Sequence, residues 1–133
     1  MSDAAAALKQ VVESSSTLTQ WALAIAAGSV ATIVGTSFRR PPTLAHRLPY
    51  LLFVPGWIFI GHAIFLANRI SGMHIASLLV SPEVSGKIAA QINDAYAEQR
   101  ISVLAALGFF GAWLLIYTLL WILADTWDRE TTK

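Results

Sequence analysis

The side chain with the greatest potential for chemistry is His62, because it lies within a run, residues 48–67, that holds no Asp, Glu, Lys or Arg. A neutral imidazole in an apolar segment can ligate a haem or a metal, relay a proton or hydrogen-bond a quinone. The other interpretation is a packed, neutral histidine that is hydrogen-bonded to Ser29, Thr32 or a free backbone carbonyl. No second His, and no Asp or Glu, lies in any of the three long charge-free runs, 18–38, 48–67 and 101–124, so a two-ligand site would need another chain or another copy. We therefore expect no cofactor and favour the packed histidine.

Three hydroxyl side chains at helical spacing form the second such feature: Ser29, Thr32 and Thr36. Aligned on one helix face, they could form the water-lined wall of a pore in a homo-oligomer. Ser and Thr hydroxyls in apolar helices also bond back to a carbonyl of the preceding turn or to a neighbouring helix, at little cost. We favour this packing interpretation and keep the pore as the alternative.

Small residues are spaced for close helix packing in the first and third charge-free runs. Small side chains four residues apart let two helix backbones approach closely. In chain order they are Ala24, Ala27, Gly28, Ala31, Gly35, Ala105, Gly108 and Ala112. The pattern predicts helix-packing faces, and the partner is left open between the same chain, a second copy and another protein.

A proline–glycine pair, Pro55-Gly56, lies inside the second charge-free run. A proline in a helix interior deprives a carbonyl of its N–H partner, here that of Leu51, and the pair therefore predicts a kink. Such a kink either acts as a hinge or only shapes the packing.

A short basic loop follows the first run and contains Arg39, Arg40 and Arg47 together with His46. Clustered arginines beside an apolar helix can bind anionic lipid headgroups or an acidic partner domain, and they also bias membrane orientation. The loop is therefore a candidate for lipid or partner contact.

Sequence motifs for catalysis are absent. There is no acid–base pair within a charge-free run, no nucleophile elbow, no phosphate-binding glycine loop and no zinc-ligand spacing. The lack of cysteine excludes disulfides and thiol chemistry, and a formal net charge of +1 gives no reason to propose nucleic acid. We expect a protein that is not an enzyme.

The elements that must position these residues are three runs without Asp, Glu, Lys or Arg: 18–38, 48–67 and 101–124. At about 1.5 Å per residue, each reaches roughly 30 Å, the thickness of a hydrocarbon core. Only 13% of the 133 residues are charged, against about 25% in soluble domains. We predict one all-α polytopic membrane domain, residues 1–133, with three transmembrane helices at about 18–38, 48–68 and 101–124.

The predicted extramembrane segment is 69–100. Its Ser81-Pro82-Glu83 sequence is typical of a helix start. Apolar residues then recur every four positions at Val84, Ile88, Ile92 and Tyr96. This amphipathic pattern fits either an antiparallel hairpin that extends the second and third spans, or helices lying flat on the membrane. We favour the hairpin, which would bring Arg69 near Asp94 and Glu98.

Two further patterns concern the first and last spans. Residues 4–12 predict a short surface helix, with the Ser/Thr run 14–17 then capping the first span. Trp113, Tyr117 and Trp121 follow a four-residue spacing that predicts an aromatic ridge facing lipid or another subunit.

The basic residues favour one orientation slightly. Arg39 and Arg40 directly follow the first run, and dense positive charge marks the cytoplasmic side. We expect the N-terminus outside and the C-terminus inside, in a bacterial inner (plasma) membrane.

Three spans in so short a chain resemble the membrane anchors of succinate dehydrogenase, phage holins and half-transporters of the SemiSWEET kind. The Asn68-Arg69-Ile70-Ser71-Gly72 stretch resembles the His-Arg-x-Ser/Thr-Gly run of the first family. Here, however, it follows the second span and begins with asparagine, and the proline–glutamine pair of SemiSWEETs is absent. No site residue is therefore carried over from these families.

The function that we expect is that of a non-enzymatic integral membrane protein, packing with other membrane chains as an oligomer or as an accessory subunit of a membrane complex. The alternatives are a homo-oligomeric pore lined by the hydroxyl face of the first span, and a haem- or quinone-binding anchor that uses His62. Expected partners are the bilayer, other membrane chains (self or hetero) and anionic lipid headgroups, and we expect no nucleic acid.

Overall fold

A computed structural model describes the backbone of residues 2–37 and 47–130, and the side chains of 6–36, 47–81 and 83–123. The described chain is helical, without strands. Its elements are α1 (Ser2–Ser37), a 3₁₀ helix (Leu48–Leu52), α2 (Phe53–Ser77) and α3 (Pro82–Glu130). Arg39, Arg40 and His46 lie outside the described residues.

Three helical segments are long and apolar enough to cross a membrane: Ala6–Thr36, Leu48–Ser77 and Glu83–Leu123. Each is longer than the roughly 20 residues that a bilayer requires. The all-helical prediction with three such helices is therefore confirmed at this level.

The helices α2 and α3 form an antiparallel hairpin closed by the turn 78–81. The N–H groups of Leu78 and Leu79 donate to the carbonyls of Ile75 and Ala76, which ends α2. Pro82 opens α3, and the Ser81 carbonyl accepts the first helical bond, from Ser85 N–H, at 2.9 Å. Helix α3 then continues for 49 residues to Glu130 without a break.

Helix α1 is one continuous helix, so the prediction of a separate surface helix capped by residues 14–17 is wrong. Within this continuous helix, Thr17 and Thr19 each donate a hydrogen bond to the carbonyl four residues earlier, so their hydroxyls are satisfied without a helix end. The preceding turns have a packing role as well. Leu8, Val11 and Val12 pack against the apolar cluster at the closed end of the hairpin.

A seven-residue period governs which side chains are buried. In α1 the buried residues Ser15, Ala22 and Ser29 are separated by seven positions. In the hairpin most buried positions are three, four or seven apart, at Phe53, Gly56, Ile60, Ala63, Ala67, Ile70 and Ser77 in α2 and at Ile92, Ala95, Gln99, Ser102 and Ala106 in α3, while Leu66 and Val103 are buried one position away from this series. This is the spacing of helices that pack side by side as in a left-handed coiled coil.

Pro55 lies in the first turn of α2 and not in a helix interior, so the predicted mid-helix kink is wrong. Because Pro55 has no N–H, it cannot bond to the Leu51 carbonyl, and residues 48–52 adopt the tighter 3₁₀ spacing instead. Its neighbour Gly56 is buried against Phe110, where an added Cβ would come within 2.7 Å of the ring. Pro55 and Gly56 thus lie in the first turn of α2, and the missing side chain of Gly56 lets the Phe110 ring pack against the helix backbone.

Candidate functional site

A single turn of α3, residues 98–102, carries polar side chains that contact both other helices. Gln99 bonds to α1, while Glu98 and Ser102 face His62 of α2. We call these side chains, with Ser15 and Thr19 of α1, the polar layer.

Gln99 is fully buried, with 0% of its surface exposed. Its Oε1 accepts a hydrogen bond of 2.7 Å from the Ser15 hydroxyl, and its Nε2 donates to the Ser15 carbonyl and the Thr19 hydroxyl at 3.2 Å each. Three hydrogen bonds therefore join α1 and α3 at one point. Such a satisfied polar contact in an apolar seam defines the helix register, because any shift would leave buried polar groups unpaired.

His62 is partnered on both ring nitrogens. Nδ1 lies 3.0 Å from the Ser102 hydroxyl, and Nε2 lies 3.6 Å from Oε1 of Glu98. The Ser102 hydroxyl also donates to the Glu98 carbonyl at 3.0 Å, so His62, Ser102 and Glu98 form one connected group. These partners replace Ser29 and Thr32, which sequence reasoning offered.

The hairpin register places His62 near the end of an apolar run rather than deep within one. The sequence places His62 within the run 48–67, and its partner Ser102 is two residues from Arg100, the last charged residue before the run 101–124. The side chains of His62 and Glu98 are 41% and 57% exposed. His62 and Glu98 therefore lie at the end of the hairpin's apolar runs, beside the charged residues that precede residue 101.

The Ser102–His62–Glu98 arrangement does not resemble an activated nucleophile. Ser102 is only 3% exposed, and its proton is already donated to a backbone carbonyl. An activated serine instead donates to a histidine that takes its proton, next to donors for an oxyanion. What these groups do in the described structure is join α2 to α3.

No group of three or more His, Asp or Glu side chains within reach of one metal ion occurs among the described residues. His62 could ligate a haem only by giving up one of its two present contacts, to Ser102 or to Glu98.

The hydroxyls of Ser29 and Thr36 point into the bundle. Ser29 donates to the Ala26 carbonyl and accepts from the Trp57 indole at 2.8 Å, and Thr36 accepts from the Tyr50 hydroxyl at 2.8 Å. Thr32 bonds back to the carbonyl four residues earlier. These bonds favour the packing interpretation over a pore wall.

The small residues of α1 lie on a surface that the other described residues leave exposed. All five are exposed, and a Cβ added at Gly28 or Gly35 would meet nothing within 4 Å. In α3, Ala105 and Ala112 are half-buried, while Gly108 is exposed with open space beside it. We call the exposed residues Ala24, Ala27, Gly28, Ala31 and Gly35 the small-residue face of α1.

The aromatic residues of α3 separate into two environments. Trp113 is 6% exposed and stacks on Tyr117, and its ring also contacts Tyr50 and Phe53. The prediction of an outward ridge is therefore wrong for Trp113, since three aromatic partners bury it. Trp121, at 66% exposed, does point outward.

Exposed charges outside the polar layer include Arg47, the described member of the predicted basic loop. The contacts of ion-pair length among the described residues are Lys9–Glu13 and His62–Glu98, and the second is an ion pair only when His62 is protonated. Arg69 and Asp94 take part in neither, so the ion pair of Arg69 with Asp94 or Glu98 is not formed among these residues.

Comparison of the chain with protein-family models, with curated proteins and with solved structures gives no match.

Sequence reasoning missed Gln99, Ser15 and Ser102. The signal that could have revealed them is the seven-residue period. Extending the spacing of Ile92 and Ala95 by steps of four and three arrives at Gln99 and Ser102. A polar residue at such a position predicts a buried contact that sets the register.

Proposed function

We propose that this chain is a non-enzymatic integral membrane protein that packs with other membrane chains, as an oligomer or as an accessory subunit of a membrane complex. The observation that carries the proposal is the small-residue face of α1, which is spaced for close packing, is exposed among the described residues and has open space at Gly28 and Gly35.

Support for membrane insertion comes from how little of the apolar surface the bundle covers. In the most apolar windows of the three helices, only 11%, 28% and 17% of the residues are buried. Large side chains such as Ile58, Leu115 and Trp121 are more than 60% exposed. Soluble monomers rarely expose contiguous apolar patches larger than a few hundred Å². A bilayer accommodates such a surface at no cost.

Support for packing with other chains comes from the two different faces of α1. One face, with Ser15, Ala22 and Ser29, is already buried against the hairpin. The small-residue face lies elsewhere on the helix, and its glycines leave room for another backbone. In lipid, helices associate through such close approach rather than through hydrophobic burial.

Support for a non-enzymatic role comes from the polar layer. Its side chains bond to one another across the three helices, and the hydroxyl of Ser102 is buried. These bonds stabilise the bundle, and none of them prepares a group for reaction.

The test begins with alkaline washing of membranes that contain the chain, followed by gentle detergent extraction and native mass measurement. We expect the chain to stay with the membrane and to be recovered in an assembly larger than one copy. Gly35→Leu should weaken that assembly, because overpacking costs about 1–3 kcal/mol, roughly five-fold or more in association constant.

Gly61→Leu is the matched control. Gly61 is also an exposed helical glycine with open space around it, but it lies on α2, away from the small-residue face. Recovery of the chain in the washed-off fraction would contradict membrane insertion. A one-copy mass, or an equal effect of the two variants, would contradict association through α1.

A further inference from the structure

Two cavities of about 370 and 350 Å³ lie between α1 and α3, and Ile25 and Leu107 line both of them. Because they share these two side chains, the cavities adjoin, and we call the two together the groove. Its walls are otherwise mostly apolar, with Leu104 towards one end and Leu114 towards the other.

One end of the groove carries a positive charge. Arg100 lines the first cavity together with Trp21, and it immediately precedes the charge-free run 101–124. Neither ion pair of the described residues includes Arg100. Arginine and tryptophan at the end of an apolar helix are typical of headgroup level, where a phosphate would meet the guanidinium.

The length of the groove fits a lipid chain. From Arg100 to Leu114 the rise along α3 is about 21 Å, and one leaflet of the hydrocarbon core is roughly 15 Å deep. An acyl chain that starts at Arg100 can therefore lie in the groove over the full depth of a leaflet.

We propose that this groove binds one phospholipid with an anionic headgroup, its phosphate on Arg100 and one acyl chain between α1 and α3. The inference rests on the membrane insertion proposed above, but not on association through α1. A second copy fits less well, because a parallel two-fold pair brings equivalent residues together, and Arg100 would face Arg100.

The test is native mass spectrometry of the purified full chain in mild detergent with equal amounts of phosphatidylglycerol and phosphatidylcholine. We expect one bound phosphatidylglycerol in preference to phosphatidylcholine. Arg100→Gln should lower that preference by about five-fold, the contribution of one arginine near an anionic surface, and Arg100→Lys should retain most of it. Arg69→Gln is the matched control, since Arg69 is exposed but lines neither cavity.

A second variant tests the groove itself. Leu107→Trp places a bulky ring where the two cavities meet and should reduce occupancy by both lipids, whereas Leu115→Trp, on the same helix outside the groove, should not. Far-UV circular dichroism establishes that each variant keeps its helices.

Three results would overturn the inference: equal loss in Arg100→Gln and Arg69→Gln, unchanged binding in Leu107→Trp, or a two-copy mass that excludes lipid and is lost in Leu107→Trp. Failure of the proposed association would look different, because Gly35→Leu would leave the native mass unchanged while lipid preference persisted. A chain washed off the membrane would refute both proposals.

Discussion

Replacing Gln99 by methionine removes the three hydrogen bonds that join α3 to Ser15 and Thr19 of α1, while keeping an unbranched side chain of similar length. The wild-type amide makes three such bonds, at 2.7, 3.2 and 3.2 Å, from a fully buried position. Hydrogen bonds between membrane helices average about 0.6 kcal/mol each. We therefore expect Gln99→Met to lower the free energy of unfolding by about 2 kcal/mol.

The assay is equilibrium unfolding in mixed micelles with rising sodium dodecyl sulfate, followed by far-UV circular dichroism. Gln91→Met is the control, since Gln91 is exposed on the same helix and should change stability by no more than about 0.5 kcal/mol. A double-mutant cycle of Gln99→Met with Ser15→Ala isolates the shortest bond, and we expect a coupling of about 0.6–1.7 kcal/mol.

An equal free energy of unfolding for Gln99→Met and Gln91→Met, or no coupling between Gln99→Met and Ser15→Ala, would contradict this prediction. Either result would mean that the hydrogen bonds of Gln99 add nothing to the stability of the contact between α1 and α3.

Two further predictions compare matched variants. Gly56→Ala should be less stable than Gly61→Ala by about 1–3 kcal/mol. Both variants gain the same helix propensity, but only at position 56 does the new methyl group overpack an aromatic ring of α3. Equal unfolding midpoints in the same detergent titration would contradict the 2.7 Å separation between the added Cβ and that ring. Trp57→Phe should lose a hydrogen bond to α1 and lower the free energy of unfolding by about 0.6–1.7 kcal/mol. Trp121→Phe is the control, because Trp121 is 66% exposed, and it should change stability by no more than about 0.5 kcal/mol. Equal losses in the two variants would show that the assigned Trp57 hydrogen bond is wrong.

The number and type of the helices could be predicted because each depends on a local property of the chain. A run of some twenty residues without charge suits a membrane helix whatever it packs against, and Ser81-Pro82-Glu83 starts a helix by its own backbone chemistry. Three helices long and apolar enough to cross a membrane are present, and α3 begins at Pro82.

The continuity of α1 could not be predicted from its own residues. Four consecutive Ser and Thr residues normally compete with helical hydrogen bonding and favour a cap. Here the Ser15 hydroxyl is hydrogen-bonded to Gln99, which is 84 positions away in the chain, and the apolar residues that precede Ser15 pack on the hairpin. Such long-range contacts decide the local conformation.

The partners of His62 were missed for the same reason. The choice between Ser29, Thr32 and Ser102 depends on how α2 is aligned with α3, and that alignment is a property of the whole seam. The period of seven could have narrowed the choice, because it places Ser102 on the buried side of α3.

The unbroken length of helix α3 also fixes the distance between the membrane and the tip of the hairpin. With the run 101–124 in the bilayer as proposed, the unbroken residues 82–100 raise the tip of the hairpin about 28 Å beyond the hydrocarbon edge. A partner that touches the turn at Ser81 would therefore be held at a set height. The buried positions follow a seven-residue period in all three helices. A change of height that keeps the same positions buried therefore requires seven residues to be inserted or deleted in every helix, which moves the tip by about 10 Å.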